Sequence, residues 1–122
     1  MNRQTKGSIE AEVGNAVVKF QREQQGRGPA QVEVHLHRDL LLVRCSGVFT
    51  ATETRLASTP EGKKLIRSAR HELRVISRAE IEAEIAGIVG CPVLRSYGEI
   101  DTDVAELIEV YVLDEDVEKR LA

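Results

Sequence analysis

A helix-breaking Gly and Pro junction occurs twice in this chain, as Gln25-Gly26-Arg27-Gly28-Pro29 and again as Val89-Gly90-Cys91-Pro92. Glycine reaches the left-handed conformation that closes a helix, and proline bars the residues before it from continuing one. Each junction follows a long helical stretch and precedes two strand-like runs. The chain therefore reads as two halves, each a helix followed by a hairpin, related by an internal repeat in which residue identity is weak.

At 122 residues the chain has the size of one domain, residues 1–122, able to bury a core without disulfides or metals. Apolar residues make up 42% and aromatics 3%, so the core is expected to be aliphatic. The formal charge of -3 gives no global reason to expect nucleic acid or an anionic membrane as a partner. Cys45 and Cys91 are too few and too distant for a disulfide framework or a CxxC site, and read as buried free thiols of a cytoplasmic protein. The N-terminal stretch from Met1 to Lys6 is polar, unlike a signal core, and no run of about 18 apolar residues is present to span a bilayer.

From Ser8 the residues Ile9, Val13, Ala16, Val17 and Phe20 recur at helical spacing. Ser8 is expected as the N-cap, with Glu10 and Glu12 in the first turn and Gly26 closing the helix after about Gln24. Val32, Val34 and Leu36 then alternate with Glu33, His35 and His37, a period of two. Arg38-Asp39 makes a turn, and Leu40 to Ser46 completes an antiparallel hairpin. A short helical turn is expected through Glu53 to Ala57. Thr59-Pro60-Glu61 starts the second long helix, with proline at the first helical position. Carried to Gly90 it would have about 29 residues and span roughly 43 Å, so a break is expected near Ser77, where Ile66, Ala69, Leu73 and Ile76 give way to Ile81, Ile85 and Ile88 after a five-residue step. Val93 to Asp101 and Glu106 to Leu113 form the second hairpin, and Val117 to Arg120 a frayed terminal turn. The expected fold is an α+β two-layer, in the order α-β-β-α-β-β, with one four-stranded antiparallel sheet and the helices on one face.

Alternation places Val32, Val34, Leu36, Ile108, Val110 and Val112 beneath the helices. The opposite face then carries Glu33, His35, His37, Leu40, Leu42, Arg44, Arg95, Tyr97, Glu99, Leu107, Glu109 and Tyr111. Leu and Tyr among charges leave two readings open: a solvated face with tolerated apolar residues, or a contact surface for a partner or second copy. His35 and His37 share one side of a strand, but zinc would need another ligand from His71, Cys45, Cys91 or the carboxylates, and the pair reads as polar surface. Cys45 and His71 have no nucleophile elbow or oxyanion loop beside them. Lys63, Arg67, Arg70, Arg74 and Arg78 form a basic stripe on the second helix. With Glu72, Glu80, Glu82 and Glu84 nearby, it reads as a solvated, salt-bridged face.

With these segments in place, the chain resembles the MpsC-like family, small bacterial proteins of unknown function described as subunits of a sodium-translocating decarboxylase or membrane-potential-generating system. The resemblance rests on Lys6-Gly7-x-Ile9-Glu10, on Gly26-Arg27-Gly28-Pro29, on Val48-Phe49-Thr50-x-x-Glu53-x-x-Leu56-Ala57 and on Thr59-Pro60-Glu61-Gly62-Lys63-Lys64-Leu65-Ile66 with Arg70 beyond it. It covers residues 6–113, and Gly26, Gly28, Pro29, Thr50, Glu53 and Gly62 stand in it as motif residues. It implies association with a membrane-potential-generating or inorganic-carbon uptake system. Without a biotin-accepting lysine motif or a membrane span, the chain would be an accessory or regulatory subunit, peripheral to the membrane through a partner.

The leading expectation is a non-enzymatic module without cofactor or metal that acts by protein association, as a homodimer and in contact with a membrane-system protein. The alternative is a small-molecule or anion sensor. Candidate contacts for these two readings are Arg27, Arg44, Arg95, Tyr97 and Tyr111, the three arginines serving an anion. An enzyme would have only Cys45, Cys91 and His71 to offer as nucleophile and base.

Overall fold

The computed structural model describes residues 4–122; Met1 to Arg3, the start of the polar N-terminal stretch, lie outside the described residues. The elements are α1 (Lys6–Gln25), β1 (Gln31–His37), β2 (Leu40–Ser46), α2 (Ala51–Leu56), α3 (Pro60–Val89), β3 (Val93–Asp101), β4 (Glu106–Leu113) and α4 (Val117–Leu121). The strands form one antiparallel sheet in the order β1-β2-β4-β3. Each hairpin contributes its second strand to the centre, and Val43 pairs with Glu109 there. Helix α1 lies over the first hairpin and α3 over the second, and the two helices pack against each other. Both junction glycines close their helices in the left-handed region, Gly26 at φ 82° and Gly90 at φ 79°.

Helix α1 begins earlier than its apolar spacing indicates. Thr5 is the N-cap and accepts from the Ser8 amide at 3.0 Å, while Ser8 Oγ accepts from the Thr5 amide at 2.8 Å. Ser8 is thus the reciprocal partner of a capping box and not the cap. Glu10 falls beyond the first turn, and its carboxylate accepts instead from the Leu36 amide of edge strand β1 at 2.8 Å. The helix seats Ile9, Val13, Ala16 and Val17 on the sheet, all buried.

Helix α3 runs unbroken over 30 residues, about 45 Å at 1.5 Å per residue, and the expected break near Ser77 is absent. Its inward stripe passes through Gly62, Ile66, Ser77, Ile81, Ile85 and Val89, with Arg70 and Arg74 continuing it at half-buried positions. The apolar stripe is interrupted at mid-helix because Arg70, Arg74 and Ser77 take inward positions there beside Leu73; Ile76 points outward, 73% exposed. At the other end of the helix, Gly62 passes so close to α2 that a Cβ would overlap the Leu56 carbonyl.

Strand β4 is turned over relative to the expected face. Leu107, Glu109, Tyr111 and Leu113 face the helices, and Ile108, Val110 and Val112 face outward, because Leu41 pairs with Tyr111, Val43 with Glu109 and Cys45 with Leu107. Tyr111 is fully buried, which removes it from the outer contact surface. Alternation could not decide this strand, since both of its faces are apolar apart from two glutamates. The C-terminal turn is docked and not frayed. Val117 is fully buried, Glu118 accepts from Lys6 Nζ and the Arg38 amide, and Arg120 donates to the Val89 carbonyl.

Candidate functional site

The two inward arginines of α3 meet carboxylates from α2 and β4. Arg70 donates to both oxygens of Glu53 on α2, at 2.6 and 2.7 Å, and to the Val48 carbonyl at 2.9 Å. Arg74 donates to Glu109 at 2.6 Å and to Ser96 Oγ at 2.8 Å, and Ser96 in turn donates to Glu82 at 2.5 Å. Tyr111 donates its phenol to the other oxygen of Glu109 at 3.0 Å. The basic stripe is thus salt-bridged, as its spacing indicates, but it is solvated only at Arg67 and Arg78, while Arg70 and Arg74 turn inward. Lys63 reaches Asp103, Arg67 reaches Thr102 Oγ1, and of the acidic neighbours named from the sequence only Glu82 takes part. Gly98 makes this possible, since a Cβ there would press against the Arg74 guanidinium at 2.8 Å.

The two buried carboxylates titrate in opposite directions. Burial alone would raise Glu53, but the Arg70 fork and the Thr50 amide hold it below the ordinary glutamate value. For Glu109 burial prevails over Arg74 and Tyr111, and its value is raised. Burial also raises Tyr111, with the Glu109 charge adding to it.

Beside this network, α1, α3 and strands β3 and β4 enclose a half-open cavity of about 120 Å³. Its apolar wall includes Val17, Phe20, Leu73, Ile81, Ile100 and Leu107; Gln21 also lines it, and Ser77 donates to Gln24 to join the two helices along one side. Arg67, His71, Arg78 and Glu99 stand around the opening, while Arg70, Arg74 and Glu109 line its depth. Sequence reasoning missed Gln21, Gln24, Ser96 and Glu109 as parts of this region. The one available signal was a carboxylate, Glu109, in the middle of a largely apolar strand, matched by arginines at four-residue spacing.

The outer sheet face has no helix over it. The strand pairing sets Leu40 beside Val112 and Leu42 beside Val110, with Tyr97 next to Val110 and Ile108 in the following row. Leu42 is 41% and Tyr97 58% exposed. His37 and Arg95 flank this apolar centre at one end. Glu33, Glu99, Asp101 and the Arg44–Glu106 pair, at 2.9 Å, flank it at the other.

The three arginines considered for an anion do not converge. Arg27 clasps the Phe49 and Gly47 carbonyls at 2.9 and 3.4 Å, tying the loop after α1 to the loop after β2. Arg44 pairs with Glu106 on the outer face, and Arg95 lies there two strands away. His35 and His37 are exposed on the same face near Glu33 and Glu118, and no group of three or more metal-ligating side chains occurs among the described residues. Cys45 lies on the opposite face, fully buried, receiving a 3.7 Å contact from Gln21 Nε2. Burial and the nearby Glu109 charge push its thiol up to about 12. Such a thiol carries almost no nucleophilic thiolate at neutral pH. Cys91 is buried as well.

Fold and surface together define a small α+β protein with a polar network under its helices and an uncovered sheet face. Over residues 5–115 the chain matches the family described as Na+-translocating membrane potential-generating system (MpsC), and it belongs to that family. It is similar to the uncharacterized protein YbcI of Bacillus subtilis (strain 168), 28% identical over 119 residues that cover 98% of this chain and 96% of the relative. It is also similar to the uncharacterized protein YrhF of the same organism, 20% identical over 110 residues covering 89% and 90%. No solved structure gives a significant match.

Proposed function

We propose that this chain is a non-enzymatic accessory or regulatory component of the membrane-potential-generating system for which its family is described, and that it acts by protein association as a homodimer through the outer sheet face. The observation that carries this reading is the apolar centre of Leu40, Leu42, Ile108, Val110, Val112 and Tyr97, bordered by charge and covered by no helix. A twofold axis running across the strands along the Leu42 row would set Leu42, Val110 and Tyr97 opposite their own copies, and would bring Arg95 of one copy opposite Glu99 of the other and His37 opposite Glu33. That complementarity selects a second copy as the occupant. No helix among the described residues is long and apolar enough to cross a membrane, so contact with a membrane system would run through a protein partner.

The face measures about 19 by 24 Å from strand spacing and rise. Its area, on the order of 450 Å² per copy, falls short of the roughly 800 Å² per partner of standard interfaces. The dimer is accordingly expected to be weak, dissociating in the micromolar range. Size exclusion with light scattering across this range is the test. Val110→Glu should leave only monomer, whereas Ile76→Glu, on the outward side of α3, should not. A wild-type chain that stays monomeric to several hundred micromolar overturns the dimer.

A further inference from the structure

We propose that the cavity between α1, α3 and the second hairpin is a binding site for a small organic monocarboxylate, an anion with a compact apolar body. The site lies under the helices, on the other side of the sheet from the outer face, shares with that face only Glu99 of edge strand β3, and does not depend on the proposed dimer.

The volume sets the size of the ligand. At about 120 Å³ the cavity is slightly smaller than the roughly 150 Å³ apolar cavity that accepts benzene, so it suits a body of about six heavy atoms. The walls set its character, since Val17, Phe20, Leu73, Ile81, Ile100 and Leu107 offer an apolar surface. Side-chain donors set its charge. Arg70 uses Nε and Nη2 on Glu53 and Val48, and Arg74 uses Nη1 and Nη2 on Glu109 and Ser96; among the described residues no hydrogen bond uses Arg70 Nη1 or Arg74 Nε. No buried side-chain nitrogen or oxygen among these residues lacks a partner. Both donors are therefore accessible, and both belong to residues that line the cavity. A carboxylate there would gain charge-assisted hydrogen bonds from these two donors.

The rim agrees with this sign. Arg67 has a hydroxyl and not a carboxylate as its hydrogen-bond partner, and the nearest carboxylate to Arg78 lies 3.9 Å away. Glu109 is matched by Arg74, and Glu99, the other carboxylate of the lining, stands on edge strand β3 in the outward-facing Ile108 row. Neutral ligands would forgo the guanidinium contacts, and inorganic phosphate would leave the apolar wall empty.

Sodium butyrate, with six heavy atoms, is the probe, set against butyramide and inorganic phosphate in nitrogen-15 NMR titrations of the full chain. Saturable amide shifts confined to residues 17–25 of α1 and 70–81 of α3 are expected with butyrate in the millimolar range, and none with the other two. Leu73→Trp should fill the cavity and abolish the shifts. Arg67→Ala/Arg78→Ala, changed only at the rim so that the fold is kept, should weaken butyrate binding about threefold. Absence of saturable butyrate shifts overturns the assignment, as do equal shifts with butyramide. So does unchanged binding in the rim variant, which remains decisive if Leu73→Trp fails to fold.

Discussion

Replacing Arg74 by methionine keeps an unbranched apolar stem and removes the guanidinium that faces Glu109. In the native protein Arg74 and Glu109 are 2.6 Å apart with side chains 17% and 12% exposed, so the variant leaves a desolvated carboxylate with only the Tyr111 phenol beside it. Breaking a buried pair from one side costs about 3–5 kcal/mol. With about 2.1 cal/mol/K of unfolding entropy per residue, a chain of 122 residues loses roughly 4 °C in Tm per kcal/mol. Arg74→Met should therefore melt about 12–20 °C below wild type at pH 7.5. Glu109 is already held above its ordinary value of 4.5 by burial, and loss of Arg74 raises it further. A carboxyl raised in the native state binds its proton more tightly there than in the unfolded chain, so the penalty is absent below about pH 4.5 and grows as pH rises through the native value. The gap between wild type and variant should narrow between pH 7.5 and pH 5.5. Arg74→Met/Glu109→Gln removes the unpaired charge and should recover more than half of the loss. Melts within about 4 °C of wild type at pH 7.5, or a double variant no more stable than Arg74→Met, would refute the reading of this pair.

Gly62→Ala forces a methyl into the Leu56 carbonyl, and a loss of about 3 kcal/mol, near 12 °C in Tm, is expected from overpacking against backbone. Gly26→Ala meets no neighbouring atom but must hold φ 82°, so calorimetry should show it losing about 1 kcal/mol. Gly87→Ala, in the interior of α3 with open space around it, should gain roughly 0.5–1 kcal/mol. Cys45, whose thiol is raised to about 12, should react with a disulfide reagent at pH 8 only after denaturant is added; a native-state labelling rate near that of free cysteine would count against its burial.

What could be read from the chain followed from strong local chemistry. The strand limits of both hairpins, the Gly26 and Gly90 helix ends and the Thr59 cap were legible because glycine and proline act through their own backbone geometry and threonine through its own hydroxyl. The errors arose where two local signals were equally good. Thr5 and Ser8 are both capping residues, and only the reciprocal hydrogen bonds decide between them. Strand β4 has apolar residues on both faces, so its orientation is set by Glu109 finding Arg74, a contact between residues 35 apart. The arginine stripe looked solvated because alternating charges along one helix satisfy the solvated pattern equally well. Its partners lie on α2 and the second hairpin, where no helical spacing could reveal them.

The same ambiguity gives the polar network under α3 a role in fixing the structure. Leu65, Ala69, Ile76, Ala79 and Ala83 form a second stripe on α3, at spacings of three, four and seven, and all of them are exposed. By apolar content alone the middle of the helix could turn this stripe toward the sheet, because the inward positions between Ile66 and Ile81 hold Arg70, Arg74 and Ser77. In that region hydrophobic burial adds little to the rotation that Ile66, Ile81, Ile85 and Val89 set at the two ends of the helix. The arginines add to it there, since Arg70 binds α2 and the loop after β2 while Arg74 binds β3 and β4. A turn of one residue, about 100°, would detach all four contacts and leave Glu53 and Glu109 without their guanidinium partners. The cost of burying these charges is offset by the exclusion of that competing packing, and the same constraint holds Arg70 and Arg74 at the cavity they line.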